Sequence, residues 1–310
     1  MNAASLSSHR WWAYLQLMRP ANIVTAWADI LVGFAASGSA IILYDVINGQ
    51  AILTKLLPLA WLLIATAGLY GGGVVFNDVF DAELDAKERP ERPIPSGRAS
   101  REGATLLGSL LLLVGLVAAS QVSWLSATLA LGIAFAALLY DAFAKHHPFL
   151  GPLIMGVCRG GNLLLGISAV PAMVGELWFL ALIPIVYIAA VTTISRGEVH
   201  GAKGSTGVIA LLLIGIVIAG LFVLGLLNDY ELVAALPFVA LFALRVLIPF
   251  VKAVSEPTPD QIRTAVKAGV LSLIVLDATL AAGFASPLYG LLVLSLLPIS
   301  MALARMFAVT

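Results

Sequence analysis

Asn77, Asp78, Asp81 and Asp85 close a long apolar stretch, and acidic groups at a membrane edge are costly unless they hold something cationic. Asn77, Asp81 and Asp85 fall at i, i+4 and i+8, with Asp78 at i+1. A helix that continues through them gathers these oxygen side chains on roughly one face. Hard oxygen ligands suit Mg²⁺, which usually shares its shell with substrate phosphates. A basic, proline-rich loop follows at once, with Lys87, Arg89, Arg92, Arg98 and Arg101 among Pro90, Pro93 and Pro95. Acid followed by base at a membrane surface implies a magnesium–diphosphate site. The blander reading, a solvated helix end, fits poorly with three carboxylates and an amide at one apolar boundary. Individual loop arginines have a second role open to them, meeting anionic lipid headgroups.

The elements that must position these groups are membrane helices. The chain has 310 residues, 61% hydrophobic and 11% charged, where a soluble domain averages about 45–50% apolar and about 25% charged. A net charge of zero argues for no nucleic-acid partner. The single cysteine, Cys158, excludes an intrachain disulfide. Apolar stretches long enough to cross a bilayer are expected at 22–43, 56–77, 103–121, 123–140, 149–170, 177–195, 207–227, 231–250, 266–284 and 287–307. The last two, joined only at Ser286-Pro287, could form one broken unit. The expectation is an all-α polytopic bundle of nine to ten transmembrane helices, one integral-membrane domain over 1–310. Residues 1–21, with Trp11, Trp12 and Tyr14 beside Arg10 and Arg19, lack the pattern of a cleaved signal and read as an interfacial segment.

Charge placement orients the bundle. Of 17 Lys and Arg, all but Lys55, Arg159 and Arg245 fall on or at the edge of the side holding both termini and the acidic cluster. The positive-inside rule makes that side cytoplasmic, in a cytoplasmic (inner) membrane. Inside the spans, Asp29, Arg159, Arg245 and Asp277 should face the bundle interior, as structural ion pairs or in a cavity. Arg159-Gly160-Gly161-Asn162 is a candidate cavity wall, with Asn162 able to hydrogen-bond a polar acceptor. Tyr70 and Phe76 are packing residues or π-faces for a carbocation. Gly71-Gly72-Gly73 suits close helix packing.

Asn77-Asp78-x-x-Asp81-x-x-x-Asp85 followed by Arg92-Pro93-Ile94-Pro95-x-Gly97 resembles the first aspartate-rich motif of the UbiA superfamily of intramembrane prenyltransferases. Arg19-Pro20-Ala21-Asn22 is similar to the start of their first helix, and Tyr140 with Lys145 to their Tyr-to-Lys cytoplasmic loop. The resemblance implies a helical bundle around a central cavity open to the cytoplasmic side and, laterally, to membrane lipid. It implies Mg²⁺ as cofactor, an isoprenoid diphosphate as donor, and an aromatic or other lipophilic acceptor that captures an allylic cation. Asn77, Asp78, Asp81 and Asp85 would hold the metal. Lys145 would act with them on the diphosphate, and Asn22, Arg92 and Tyr140 would line the substrate, joined by Arg159 and Asn162 if the candidate wall faces the same cavity.

The family's second aspartate-rich run is altered here. Over its pattern lie Thr192, Thr193, Arg196, Glu198 and His200, so only one carboxylate remains. Arginine cannot bind a metal but its fork suits phosphate, and histidine is a poor Mg²⁺ ligand. Arg196, Glu198 and His200 are therefore expected at the substrate rather than on a second metal, with Glu198 open to either the remaining metal's shell or the acceptor. The string Ser195-Arg196-Gly197-Glu198-Val199-His200 resembles a divergent, EboC-like branch tied to secondary metabolism. The altered run leaves a second function class open, a non-catalytic lipid- or metabolite-binding or export component.

Overall fold

The computed structural model describes residues 10–40, 52–197 and 204–307. Among them there are helices and no strand. In chain order these are α1 (Arg10–Met18), α2 (Pro20–Ala36), α3 (Ile52–Phe80), α4 (Ala82–Glu88), α5 (Arg101–Ser120), α6 (Trp124–Leu139), α7 (Leu150–Ile167), α8 (Pro171–Leu177) and α9 (Leu182–Ser195). Then come α10 (Gly204–Val223), α11 (Leu232–Ser255), α12 (Pro259–Phe284), α13 (Pro287–Leu294) and α14 (Leu296–Met306).

Nine helical segments among the described residues are long and apolar enough to cross a membrane. Each matches an expected span, and α2, at 17 residues, supplies the core of the tenth; the end of the expected 22–43 span lies partly outside the described residues. The last span is interrupted at Ser295, between α13 and α14. Helix starts follow local chemistry. Proline occupies the first turn of α2, α8, α12 and α13, where its missing N–H costs nothing. Ser100, Ser123, Thr258 and Ser286 accept from the N–H groups of Gly103, Ser126, Gln261 and Tyr289, satisfying donors that a helix leaves open.

The bundle's axis is α12, the most buried span. Its Ala, Gly and Ser positions, such as Gly269, Ser272 and Ala278, let neighbours approach from several sides, which is how membrane helices associate without a hydrophobic drive between them. It packs on α11, α13, α2 and α9. A second layer joins α3, α5, α6 and α7 through Leu62, Ala65, Leu69, Leu112, Ala130 and Leu165. Gly166 sets the α2–α7 crossing, since a Cβ there would stand 2.7 Å from the Ile30 carbonyl oxygen. Gly72 packs likewise against Leu112 and Gly108 of α5. Outward faces keep large apolar side chains such as Trp124, Leu131, Leu212 and Leu226 exposed, a pattern that a hydrocarbon environment explains.

Candidate active site

A cavity of about 410 Å³ runs between α2, α3, α6, α7, α9 and α12, within the ~300–1,000 Å³ of small-molecule sites. One end is charged. Asn77, Asp81 and Asp85 all line it, as the four-residue spacing predicts. The helix bends at Asp81, between α3 and α4, yet the Asp81 and Asp85 amides still reach the carbonyls of Asn77 and Asp81 at 3.0 and 2.8 Å. The side-chain period therefore survives the bend.

Each carboxylate there is held by a cation. Lys145 Nζ binds Asp81 Oδ1. Arg92 Nη1 lies 2.7 Å from Asp85 Oδ2 and 3.2 Å from Asp78 Oδ1, and Arg19 Nη2 lies 2.7 Å from the same Asp78 oxygen. Asp78 is 5% exposed and stands behind the cavity wall, fixing Arg19 and Arg92, which do line it. Burial pushes the Asp85 carboxyl above its ordinary range, with the Arg92 charge pulling the other way. Arg19 is the one non-glycine residue with positive φ (45°) among those described. A residue before proline is driven from the right-handed helical region, so Pro20 breaks α1 from α2 and leaves Arg19 at the turn. Arg98 serves the loop instead, bonding Gln16 Oε1 at 2.7 Å and the Glu91 carbonyl at 2.6 Å.

The Tyr-to-Lys element carries a local device. Residues Tyr140–Ala144 form a π-turn, with the Lys145 amide donating to the Tyr140 carbonyl five residues back at 3.0 Å. In an α-helix, positions five apart diverge by about 140°. The wider π-turn, a form that recurs at functional sites, brings Tyr140, Asp141 and Lys145 onto the cavity wall together. Asp141, 4% exposed, accepts a 2.8 Å hydrogen bond from Asn77 Nδ2.

Toward the bilayer interior the wall becomes apolar, with Leu69, Ile133, Ile188, Val191, Val270 and Leu273. One polar patch interrupts it. Arg159 pairs with Asp29 (Nε to Oδ2, 2.7 Å) and donates to the Thr25 carbonyl. Asn162 donates to Asp29 Oδ2 at 2.8 Å and to the Ala26 carbonyl at 2.9 Å, and accepts from Thr66 at 2.5 Å. Asp277 lies beside Asp29. Arg245 joins no ion pair among the described residues, and its Nε is buried without a hydrogen-bond partner.

The structure thus brings Asn22, Asn77, Asp81, Asp85, Arg92, Tyr140, Lys145, Arg159 and Asn162 to one cavity. Arg196 is elsewhere: its Nη2 donates to the His147 carbonyl at 2.6 Å, tying down the loop that carries Lys145. Thr192 and Ser195 from the altered run do line the cavity. Glu198 and His200 lie outside the described residues. His147 Nδ1 accepts from the Leu150 amide at 3.1 Å and so caps α7. Among the wall residues that the sequence did not single out as substrate contacts are two charged ones at the diphosphate end, Arg19 and Asp141. Asp141 carried a readable signal, an acid at the end of an apolar span.

The donor chemistry fits Mg²⁺. Asn77, Asp81 and Asp85 offer only oxygen ligands, and no three His, Cys, Asp or Glu side chains form a closed metal cage among the described residues. Magnesium typically takes one or two carboxylates and completes its shell with water and substrate phosphate, which an open, half-filled wall of this kind allows.

Residues 34–259 match the UbiA prenyltransferase family. The chain is 33% identical over 197 residues to a digeranylgeranylglyceryl phosphate synthase of Methanothrix thermoacetophila, covering 63% of this chain and 67% of that protein. It is 32% identical over 194 residues to the protein of the same name from Methanoregula boonei, covering 63% of each. The chain therefore spans about two thirds of the length of the curated relatives it matches. In architecture it is similar to a UbiA homolog from Archaeoglobus fulgidus bound to GPP and Mg²⁺, with TM-score 0.63 and 16% identity over 91% of this chain and 99% of that one. An apo UbiA homolog from Aeropyrum pernix K1 superposes with TM-score 0.61 and 17% identity over 81% and 96%.

Proposed function

The chain belongs to the UbiA prenyltransferase family, and from that premise we propose an intramembrane, Mg²⁺-dependent transfer of an isoprenoid group from an allylic diphosphate to a lipophilic acceptor. One observation supports this most: three oxygen ligands and four cations, Arg19, Arg89, Arg92 and Lys145, face one end of a cavity whose remaining wall is mostly apolar. A diphosphate fits the charged end and an isoprenoid chain the apolar wall.

Asn77, Asp81 and Asp85 would hold Mg²⁺, which when bound offsets diphosphate charge and eases cleavage of the allylic C–O bond. In the structure Lys145 and Arg92 rest on Asp81 and Asp85. An arriving diphosphate offers them stronger, doubly charged partners, so the same cations move to the leaving group and free the carboxylates. Such preorganised charge is usually the largest catalytic term. Arg19, anchored by Asp78, would complete the cradle, and Arg196 would act through Lys145 by holding its loop. The allylic carbon then bonds the acceptor, which loses a proton.

The basic residues that flank the charged end support a cytoplasmic membrane with both termini and the cavity mouth inside. The Ser195–His200 string supports a place in secondary metabolism. The relatives' name supports a prenylated glycerol phosphate as one acceptor to test, beside aromatic ones.

The test is diphosphate release by purified protein in lipid, with Mg²⁺, a panel of allylic diphosphates and candidate acceptors. Acceptor-dependent release is expected, lost with EDTA and by at least 100-fold in Asp81→Ala with thermal unfolding unchanged. Full activity in Asp81→Ala would overturn the assignment. Saturable donor binding without release across the panel would favour the binding or export reading.

A further inference from the structure

The polar patch within the apolar wall calls for a partner that the protein does not provide. Tyr70 lines the cavity, and its hydroxyl makes no hydrogen bond among the described residues. Its ring lies under the Arg159 guanidinium, 5.7 Å from centroid to Cζ. Arg159 also lines the cavity, is 4% exposed, and has an Nη1 with no hydrogen-bond partner. An unpaired polar group removed from water costs about 1–3 kcal/mol, and an isoprenoid chain laid against this patch would leave both groups unpaired.

Depth and charge narrow the occupant. Tyr70 precedes Asn77 by seven residues on α3, so the patch lies about 10 Å below the charged end at about 1.5 Å per residue. That is too deep for the diphosphate and suited to the far end of the second substrate. The patch has one guanidinium, Arg159, against two buried carboxyls, Asp29 and Asp277. The Arg159–Asp29 ion pair is neutral by itself, and Asp277 beside it adds no positive charge. Neither the pair nor the added acid attracts an anion, and Arg19, the cation further along the wall, belongs to the charged end.

The geometry points to Tyr70 and Arg159 as the acceptor-recognition floor, taking an uncharged oxygen (a hydroxyl, ether or carbonyl) of a lipophilic acceptor and disfavouring an anionic group at that depth, so that a phosphate-bearing acceptor would keep its phosphate toward the charged end. Asn162 and Thr66 are the positioning residues: their bonds to each other and to Asp29 lock the acid that holds Arg159. The inference rests on the transferase reading for the word acceptor, and not for the binding site itself.

The experiment compares two probes, a phenol carrying a methyl ester and the same phenol carrying the free carboxylate. Equilibrium binding is measured in lipid nanodiscs for the intact protein, Tyr70→Phe and Arg159→Lys, with allylic diphosphate binding followed alongside. The ester is expected to bind at least tenfold more tightly than the carboxylate. Tyr70→Phe, which removes one oxygen, should weaken the ester about tenfold while leaving diphosphate affinity within twofold. Arg159→Lys should weaken the ester as well, since an ammonium cannot reproduce the fork. Equal or preferred binding of the carboxylate, or an unchanged ester affinity in Tyr70→Phe, would overturn the proposal. Ester binding that depends on Tyr70, in a protein that never releases diphosphate, would keep the floor and remove the transferase reading instead.

Discussion

Asp85 is a carboxylate caught between two opposing forces. Burial raises its pKa and the Arg92 guanidinium, 2.7 Å away, lowers it. Removing the cation leaves burial unopposed, so protonation persists to higher pH and the oxygen is lost to a metal over a wider acid range. Arg92→Met should therefore move the acid limb of Mn²⁺ binding upward by about one to two units, the usual effect of an opposite charge at this range. An unshifted limb would mean that Asp85 takes no part in holding the metal. The same pairing explains how the resting site tolerates four acids, Asp78, Asp81, Asp85 and Asp141, near one surface: Arg19, Arg92, Lys145 and Asn77 each satisfy at least one of them. Several of these residues were legible from spacing alone. Their pairing was not, because Arg19 and Asp78 are 59 positions apart and Lys145 and Asp81 are 64.

At the scale of elements, the site depends on how closely helices approach. The α2–α7 crossing carries Asp29 on one helix and Arg159 and Asn162 on the other, so its spacing sets the polar floor. At Gly166 a Cβ would stand 2.7 Å from Ile30 O and 3.0 Å from the Gly33 Cα. Backbone cannot yield as a flexible side chain can, and overpacking of this kind costs about 1–3 kcal/mol or more. Gly166→Val should lower the unfolding temperature in detergent and weaken acceptor binding together, whereas the same change at Gly215, where a Cβ meets nothing within 4 Å, should do neither. The π-turn at Tyr140–Ala144 belongs to this scale too. The sequence shows Tyr140 and Lys145 five apart, a spacing that an α-helix would splay, and only the extra-wide turn reunites them.

At the scale of the whole molecule, the consequence is sidedness. The charged end of the cavity, the α3–α5 connection and the Lys145 loop should all face the cytoplasm if the basic residues orient the bundle. A cysteine placed at exposed Ser96 should react with an impermeant thiol reagent only from the cytoplasmic side. One at exposed Asn228, between α10 and α11, should react only from the other, provided that Cys158 is first replaced by serine. Labelling of both from one side would overturn the orientation.

The chain by itself determined the helical class, the approximate limits of the nine long spans and the run of acids followed by bases at the end of α3. These follow from hydropathy over about 20 residues and from a four-residue period, both local properties. Only the tertiary structure decided that Asp78 anchors cations behind the wall, that Asp141 orients Asn77, and that Arg196 holds a loop. It alone decided that Asp29 rather than Asp277 is the ion partner of Arg159. Each of those depends on which helix lies beside which. In a membrane that choice is made by small residues and buried polar pairs, whose partners are set by three-dimensional proximity and not by position along the chain.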